Sequence, residues 1–287
     1  MAATTIGAVA APFGRDLDAC LDRIAAIVAD ARRRGAQMVV LPECALGGYL
    51  GAGGPGQPDM ARALDPDGPE IRRLARIAGP TAVCAGFVEE GPGRPYNSAV
   101  CVTGDGVLGL HRKVHLPPAE LGGFRPGDRF AAFETPVGRI GMLICYDKSF
   151  PEAARALALD GALIVACLSA WPLCRVSPAR RPSADVQTRH FDVLDRARAI
   201  ENQVVWASSN LTGRLGALRF PGRAKVIGPD GEVRATTRAR AGTAIGRVDL
   251  TEIARARSAV SHLDDRRPAA YAPPPGAVEG PSLAATG

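Results

Sequence analysis

Hydrophobic and polar residues alternate along this chain in short blocks that point to strands and helices in turn. Residues 4–10 (Thr-Ile-Gly-Ala-Val-Ala-Ala) read as a first strand. Residues 16–34 carry Leu17, Cys20, Leu21, Ile24, Ile27 and Val28 at helical spacing and end in three arginines and Gly35. Met38 to Leu41 is an apolar strand stopped by Pro42, Pro69 to Ile77 a helix, and Thr81 to Val88 a third strand. Ser98 to Thr103 and Val107 to Leu110 flank Gly104-Asp105-Gly106 and predict a hairpin. Beyond them, residues 139–145 predict a strand, Glu152 to Leu159 a helix, Ala162 to Ala166 a strand, Asp185 to Ile200 a long helix and Val204 to Ser208 a strand. A second hairpin joins Ala224–Ile227 to Val233–Thr236, and Ala244 to Val248 is the last core strand. Thr251 is read as the cap of a short helix with Glu252 in its first turn.

Strands alternate with helices, but hairpins interrupt the alternation, which predicts mixed sheets rather than one parallel sheet. No internal repeat and no long linker stand out. One domain over residues 1–271 and an extended or disordered Pro-, Gly- and Ala-rich tail over 272–287 is the simplest organisation.

Composition narrows the classes of function. The 287 residues are 46% hydrophobic and 22% charged, an ordinary globular balance. No apolar run reaches the roughly 18 residues that span a bilayer, and the first residues lack the charged start and long apolar stretch of a signal peptide. A cytoplasmic protein is therefore expected. Seven cysteines, with no Cys-x-x-Cys pair and only four histidines, argue against a disulfide framework or a zinc site. The net charge of +6 raises the question of nucleic acid. The basic residues are spread along the chain without an aromatic-interleaved stripe, so a solvated arginine-rich surface is the better reading. Of the 35 basic residues only Lys113, Lys148 and Lys225 are lysine. A lysine kept in an arginine-rich chain suggests a need for a compact ammonium.

Three segments share one form: an apolar run ending in an ionisable residue beside a turn signal. They are Val39-Val40-Leu41-Pro42-Glu43, His111-Arg112-Lys113-Val114-His115-Leu116-Pro117, and Arg139 to Cys145 followed by Tyr146-Asp147-Lys148-Ser149-Phe150-Pro151-Glu152. A thiol, a carboxylate and an ammonium at converging strand ends would make an acyl-transfer site. The thiol attacks an electrophilic carbon. The carboxylate takes its proton and passes it to the leaving amine. The ammonium stabilises the oxyanion. Each residue also has a plainer reading: Cys145 as core, Glu43 as a solvated carboxylate, Lys113 as a surface cation. Cys44 reads as structural, because adjacent strand residues face opposite ways. His111 and His115 share one face of an extended segment and Lys113 takes the other. His115 would serve a Cys–His mechanism under a different fold. Asp147 and Lys148 read as a local ion pair shaping the turn.

These three blocks, in this order and at this separation, resemble the nitrilase superfamily of carbon–nitrogen hydrolases, and the likeness runs from the first strand to Tyr271. The resemblance implies an α/β (α+β) fold, a four-layer α-β-β-α sandwich of two mixed sheets with outer helices. It implies Glu43 as general base and acid, Lys113 as oxyanion stabiliser, Cys145 as nucleophile and Glu120 as a supporting glutamate. A plainer reading pairs Glu120 with Arg125 or Arg129. Ser169-Ala170-Trp171-Pro172 resembles the family's pocket edge, so Ala170 and Trp171, with Tyr49 and Tyr146, are expected to bind substrate. No metal or organic cofactor is implied. The expected partner is a small amide, carbamoyl compound or nitrile, with a second copy of the chain pairing through an outer helical face. Amide hydrolysis is the first reading; nitrile or N-carbamoyl hydrolysis, acyl transfer and a non-catalytic scaffold are the alternatives. Gly222-Arg223-Ala224-Lys225 carries alanine where the family often has serine, and Leu173 to Pro182 matches no specificity signature. Arg175, Arg180 and Arg181 in that stretch read as a solvated loop or as a receiver for a substrate carboxylate.

Overall fold

Strand residues of this chain sort by parity into two different cores, and that sorting sets the architecture. The computed structural model describes residues 3–49 and 61–271. The expected tail at 272–287 lies outside the described residues. One sheet is built from β1 (Ala3–Ala10), β2 (Met38–Val40), β3 (Ala82–Glu89), β4 (Tyr96–Thr103), β5 (Gly106–Arg112) and the late strand β14 (Gly242–Asp249), in the order β14-β1-β2-β3-β4-β5. The other uses β6 (Ala132–Phe133), β7 (Ile140–Ile144), β8 (Ile164–Leu168), β9 (Val205–Ser208), β12 (Lys225–Ile227) and β13 (Val233–Thr236), in the order β13-β12-β9-β8-β7-β6. A separate hairpin, β10 (Thr212–Leu215) with β11 (Leu218–Pro221), lies between β9 and β12 in sequence.

Both sheets are mixed: β1, β2 and β3 run parallel, as do β7, β8 and β9, with antiparallel strands on both sides. In β3 and β4, Cys84, Ala99 and Cys101 face the opposing sheet and meet Ile140, Met142, Ile144, Ile164, Ala166 and Leu168. Val83, Ala85, Phe87, Val100 and Val102 face the other way, onto the helices α1 (Leu17–Arg33) and α2 (Pro69–Ala78). Leu143, Val165 and Cys167 of the second sheet face α3 (Pro151–Leu159) and α4 (Val186–Asn202). Four layers, α-β-β-α, follow from this alternation. Strands buried on both faces read as unbroken apolar runs, which is why each stood out in the sequence.

Local signals set the element ends. The Asp16 side chain accepts from the Ala19 N–H and caps α1, whose buried stripe is Cys20, Leu21, Ile24, Val28 and Ala31. The strand expected from Ala162 starts two residues later, because the Ala162 N–H closes α3 on the Leu157 carbonyl around Gly161 at φ 85°. Thr251 is not the cap of α5 (Thr251–Ala259). It is the first helical residue, and the Asp249 carboxylate accepts from its N–H and hydroxyl. The β10–β11 hairpin and the two-residue β6 were not legible in the sequence: β10 leads into Gly216 rather than an apolar block, and β6 is too short for a pattern.

Candidate active site

The parallel strands β2 and β7, one in each sheet, release the chain at the same end, and the three predicted residues meet there. Pro42 ends β2, and a tight turn follows with Cys44 at φ 50°. Glu43 is buried in that turn, hard against β3, where a Cβ on Gly86 would lie 2.4 Å from the Cys44 nitrogen and 2.7 Å from the Glu43 Cα. Only glycine lets the two backbones approach so closely. Cys44 lies in this turn and not in a strand, so strand alternation does not set its side chain. Its thiol sits 3.8 Å from Asn97 Oδ1.

Lys113 follows directly after β5 and has no exposed surface. Its Nζ donates to Glu43 Oε1 and to Glu120 Oε1, each at 2.7 Å. Asn97 of β4 donates to both carboxylates, to Glu43 Oε1 at 2.7 Å and to Glu120 Oε2 at 3.3 Å. The Ala170 N–H donates to Glu43 Oε2 at 2.7 Å, and the Tyr49 hydroxyl donates to Glu120 Oε1. Glu120 therefore joins Lys113 and not Arg125 or Arg129.

Cys145 begins a 3-10 turn, Cys145–Ser149, in the left-handed conformation at φ 49° and is 6% exposed. A non-glycine residue held there is strained, a condition that clusters at functional sites. The Asp147 carboxylate anchors this turn. It accepts from the Ile144 and His115 N–H groups at 3.1 and 2.9 Å, and its oxygens bond the His111 and His115 rings at 3.2 and 3.0 Å. The histidines thus tie the Lys113 segment to the Cys145 turn while Lys113 points the other way. Asp147 and Lys148 do not pair with each other. Lys148 reaches Asp195 at 2.9 Å.

Charge is crowded in this space. Burial pushes the Glu43 carboxyl above its ordinary value, with Lys113 pulling it down and Glu120 pushing it up. Burial works against the Lys113 ammonium, but Glu120, Glu43 and Cys145 outweigh it and hold Lys113 well above its ordinary value. Burial, and next the charge of Glu43, raise the Cys145 thiol well above its ordinary value against the pull of Lys113. A carboxylate, an ammonium and a thiol buried together can exchange a proton and hold a developing oxyanion.

The four residues expected to bind substrate lie around this centre in different ways. Tyr49 is committed to Glu120 through its hydroxyl, and Ala170 to Glu43 through its backbone. Trp171 shares a cluster with Cys145, meets Phe191 edge-on and donates its indole N–H to the Gln187 carbonyl. Its backbone is held on both sides by Asn210, at 2.8 and 3.2 Å. Tyr146 meets Phe150 edge-on. Arg175, Arg180 and Arg181 are exposed on the following loop, which Asp185 fastens by accepting from the Cys174 and Ala179 N–H groups. Asn97 and Asn210 escaped the sequence reading. Their only signal was an amide side chain next to an apolar strand.

Residues 5–258 match the model of the family described as Carbon-nitrogen hydrolase. A probable nitrilase of Schizosaccharomyces pombe is 34% identical over 173 residues, 58% of this chain and 59% of that protein, so the chain spans about three fifths of that relative's length. An (R)-stereoselective amidase of Pseudomonas sp. is 34% identical over 228 residues, 77% of this chain and 76% of that protein. Among solved structures, a variant of the amidase from Nesterenkonia sp. AN1 superposes with a TM-score of 0.75 and 25% identity, over 93% of this chain and 95% of that one. It carries the acetamide moiety of fluoroacetamide covalently on its active-site cysteine.

Proposed function

Since the chain belongs to the carbon–nitrogen hydrolase family, we propose that it is an amidase that splits small amides through a thioester on Cys145. The observation that carries this reading is the Lys113 ammonium bridging Glu43 and Glu120 at 2.7 Å each, with all three side chains fully buried and coupled to Cys145. In this reading Cys145 rests as a thiol, since burial raises it so far, and attack needs a base rather than a preformed thiolate. Glu43, whose carboxyl burial raises above its ordinary value and so makes a better base, takes the thiol proton as sulfur bonds to the amide carbon. The Lys113 ammonium stabilises the oxyanion. Glu43 then gives the proton to nitrogen, the C–N bond breaks, and ammonia or an amine leaves. Water loses a proton to Glu43, attacks the thioester and releases the acid, and the proton returns to sulfur. Glu120 holds Lys113 and acts through it. Tyr49, Tyr146, Ala170 and Trp171 form the pocket edge around the substrate. The protein works in the cytoplasm as a homodimer or larger homo-oligomer and engages no nucleic acid.

The test is an ammonia-release screen over amides, N-carbamoyl compounds and nitriles, with intact mass spectrometry for an acyl adduct. Amides should be consumed, and the adduct should appear on the wild type and be missing from Cys145→Ala. A Cys145→Ala variant with full activity, or nitriles as the sole substrates, would overturn the amidase reading.

A further inference from the structure

All three lysines of the chain are buried, and only one of them serves the Glu43–Glu120 pair. Lys148 and Lys225 share Asp195: Lys148 Nζ donates to Oδ1 at 2.9 Å and Lys225 Nζ to Oδ2 at 2.7 Å. Asp195 Oδ1 also accepts the Trp206 indole N–H at 3.0 Å. Lys148 Nζ lies 3.2 Å from the centroid of the Phe191 ring and 5.0 Å from that of Trp171, and Lys225 Nζ lies 4.0 Å from Phe191. Both tryptophans of the chain therefore touch this cluster. Arg198 of α4 adds backbone bonds to the Lys148 and Ser149 carbonyls, clamping the turn that begins at Cys145.

Stability alone does not account for such a cluster. Replacing a buried ion triad by well-packed apolar residues is often neutral or favourable, whereas leaving one charge unpaired is costly. Its placement suggests a different purpose. Ile144 pairs with Leu168 across β7 and β8, so Cys145 and the Ser169–Trp171 segment leave the sheet side by side. Lys148, in the same 3-10 turn as Cys145, places its Nζ 5.0 Å from the centroid of the Trp171 ring. The catalytic group holds two carboxylates against one ammonium. The Asp195 group joins Lys148 and Lys225, and Lys225 also pairs at 3.0 Å with Asp192, which Arg223 holds in turn. Three cations against two carboxylates thus leave a net positive charge beside a catalytic group whose net charge is negative.

We propose that Lys148 is a positioning residue for the Cys145 site: held by Asp195, its ammonium fixes the Trp171 wall beside Cys145 and adds a second positive charge to that of Lys113. The inference rests on Cys145 being the nucleophile. The titratable groups facing Cys145 are Glu43, Lys113, Glu120, Lys148 and Tyr49, and Lys148 also pulls on the buried Cys167. Lys113, bridged to two carboxylates, exerts the stronger pull on the sulfur, and Lys148, held by Asp195, adds a second one in the same direction. Cation–π contact of the ammonium with Phe191 and Trp171 orders the wall.

Two variants test this. Lys148→Met removes the charge and keeps the length. The triple variant Lys148→Met, Asp195→Leu, Lys225→Met removes the three linked charges while Asp192 keeps Arg223 as its partner, and serves if the single variant does not fold. The rate of iodoacetamide labelling of Cys145, located by peptide mass, is followed against pH beside kcat and KM for a short and a bulky amide. The expected result is a labelling profile displaced upward by about one pH unit, roughly tenfold slower labelling at neutral pH. KM should rise more for the bulky amide than for the short one. A folded variant with the wild-type labelling profile and wild-type kcat and KM would overturn the inference while leaving the amidase reading intact. A wild type whose Cys145 forms no acyl adduct would overturn both.

Discussion

Asn97 decides how two buried carboxylates share one lysine. Its amide donates to Glu43 and to Glu120, and its side chain is fully buried. Removing it leaves oxygen lone pairs of both glutamates unmet in a buried site, a loss of about 1–3 kcal/mol. Asn97→Ala should lower both kcat and the urea midpoint, and retention of both at wild-type values would show that the amide is idle. Glu43→Gln is different, since it keeps the shape and deletes the base. Loss of general acid–base catalysis is worth roughly 100-fold or more, so kcat should fall by at least that while KM changes little. In the wild type, burial raises Glu43, so activity should decline on the acid side from a pH above the ordinary carboxylate range. A limb at or below about pH 4 would contradict that assignment. Glu43, Lys113 and Cys145 were legible because each ends an apolar run beside a turn. Asn97 was not, because one amide at the start of an apolar strand looks like any half-buried position. Only the register of β4 beside β3 and β5 brings it to the glutamates.

At the scale of elements, the site depends on two short pieces that periodicity does not reveal. The first is the close passage of β3 beneath the Glu43 turn. Gly86→Ala would put a methyl within 2.4 Å of the Cys44 nitrogen, and backbone on both sides cannot yield as a side chain would. The variant should lose activity out of proportion to its loss of stability, because the displaced group is the Glu43 backbone itself. Equal kcat in the variant and the wild type would refute this. The second is the 3-10 turn held by Asp147. Hydrogen bonds from His111 and His115 outweigh burial and keep its carboxyl well below the usual range. A depressed folded value means that the stabilisation is present above the unfolded value, about 3.9, and is lost as pH falls below it. Asp195, lowered by Lys148 and Lys225 against burial, acts in the same direction. The urea midpoint should therefore fall below about pH 4. Asp147→Asn should be less stable than the wild type at pH 7 and should converge toward it in acid, with the remaining slope due to Asp195. Parallel curves for the two proteins would exclude the anchor role. The sequence showed an Asp-Lys pair here. The true partners lie 36 and 32 residues back for Asp147, at His111 and His115, and 47 residues on for Lys148, at Asp195. Sequence spacing cannot expose partners brought together only by the facing of two sheets, as for Asp147, or by the packing of α4 on the second sheet, as for Lys148.

Across the whole molecule the two sheets repeat one pairing scheme: from β14 through β5, and from β6 through β13, neighbours run antiparallel, parallel, parallel, antiparallel, antiparallel. No sequence repeat betrays this, because buried strands need only be apolar and of similar length. The scheme leaves each sheet with helices on its outer side, and the outer face of α4 is not uniformly polar. Thr188, Phe191, Asp195, Arg198 and Asn202 turn inward. Val193 and Ile200, two turns apart on the other side, are 64% and 41% exposed, and Leu159 at the end of the neighbouring α3 is 49% exposed. Pairing of two copies through this face would remove these side chains from water, and that is the surface we assign to the proposed dimer. Light scattering coupled to gel filtration should then give twice the 29.9 kDa chain mass. Val193→Glu would force an unpaired carboxylate into the contact. A penalty of about 1.4 kcal/mol already weakens association tenfold, so the variant should run as a monomer at concentrations where the wild type is paired. A Val193→Glu protein with undiminished dimer mass would move the interface to another face. A wild type that is monomeric throughout would remove the dimer altogether, and would leave the Cys145 site untouched, since every group placed in it comes from a single chain.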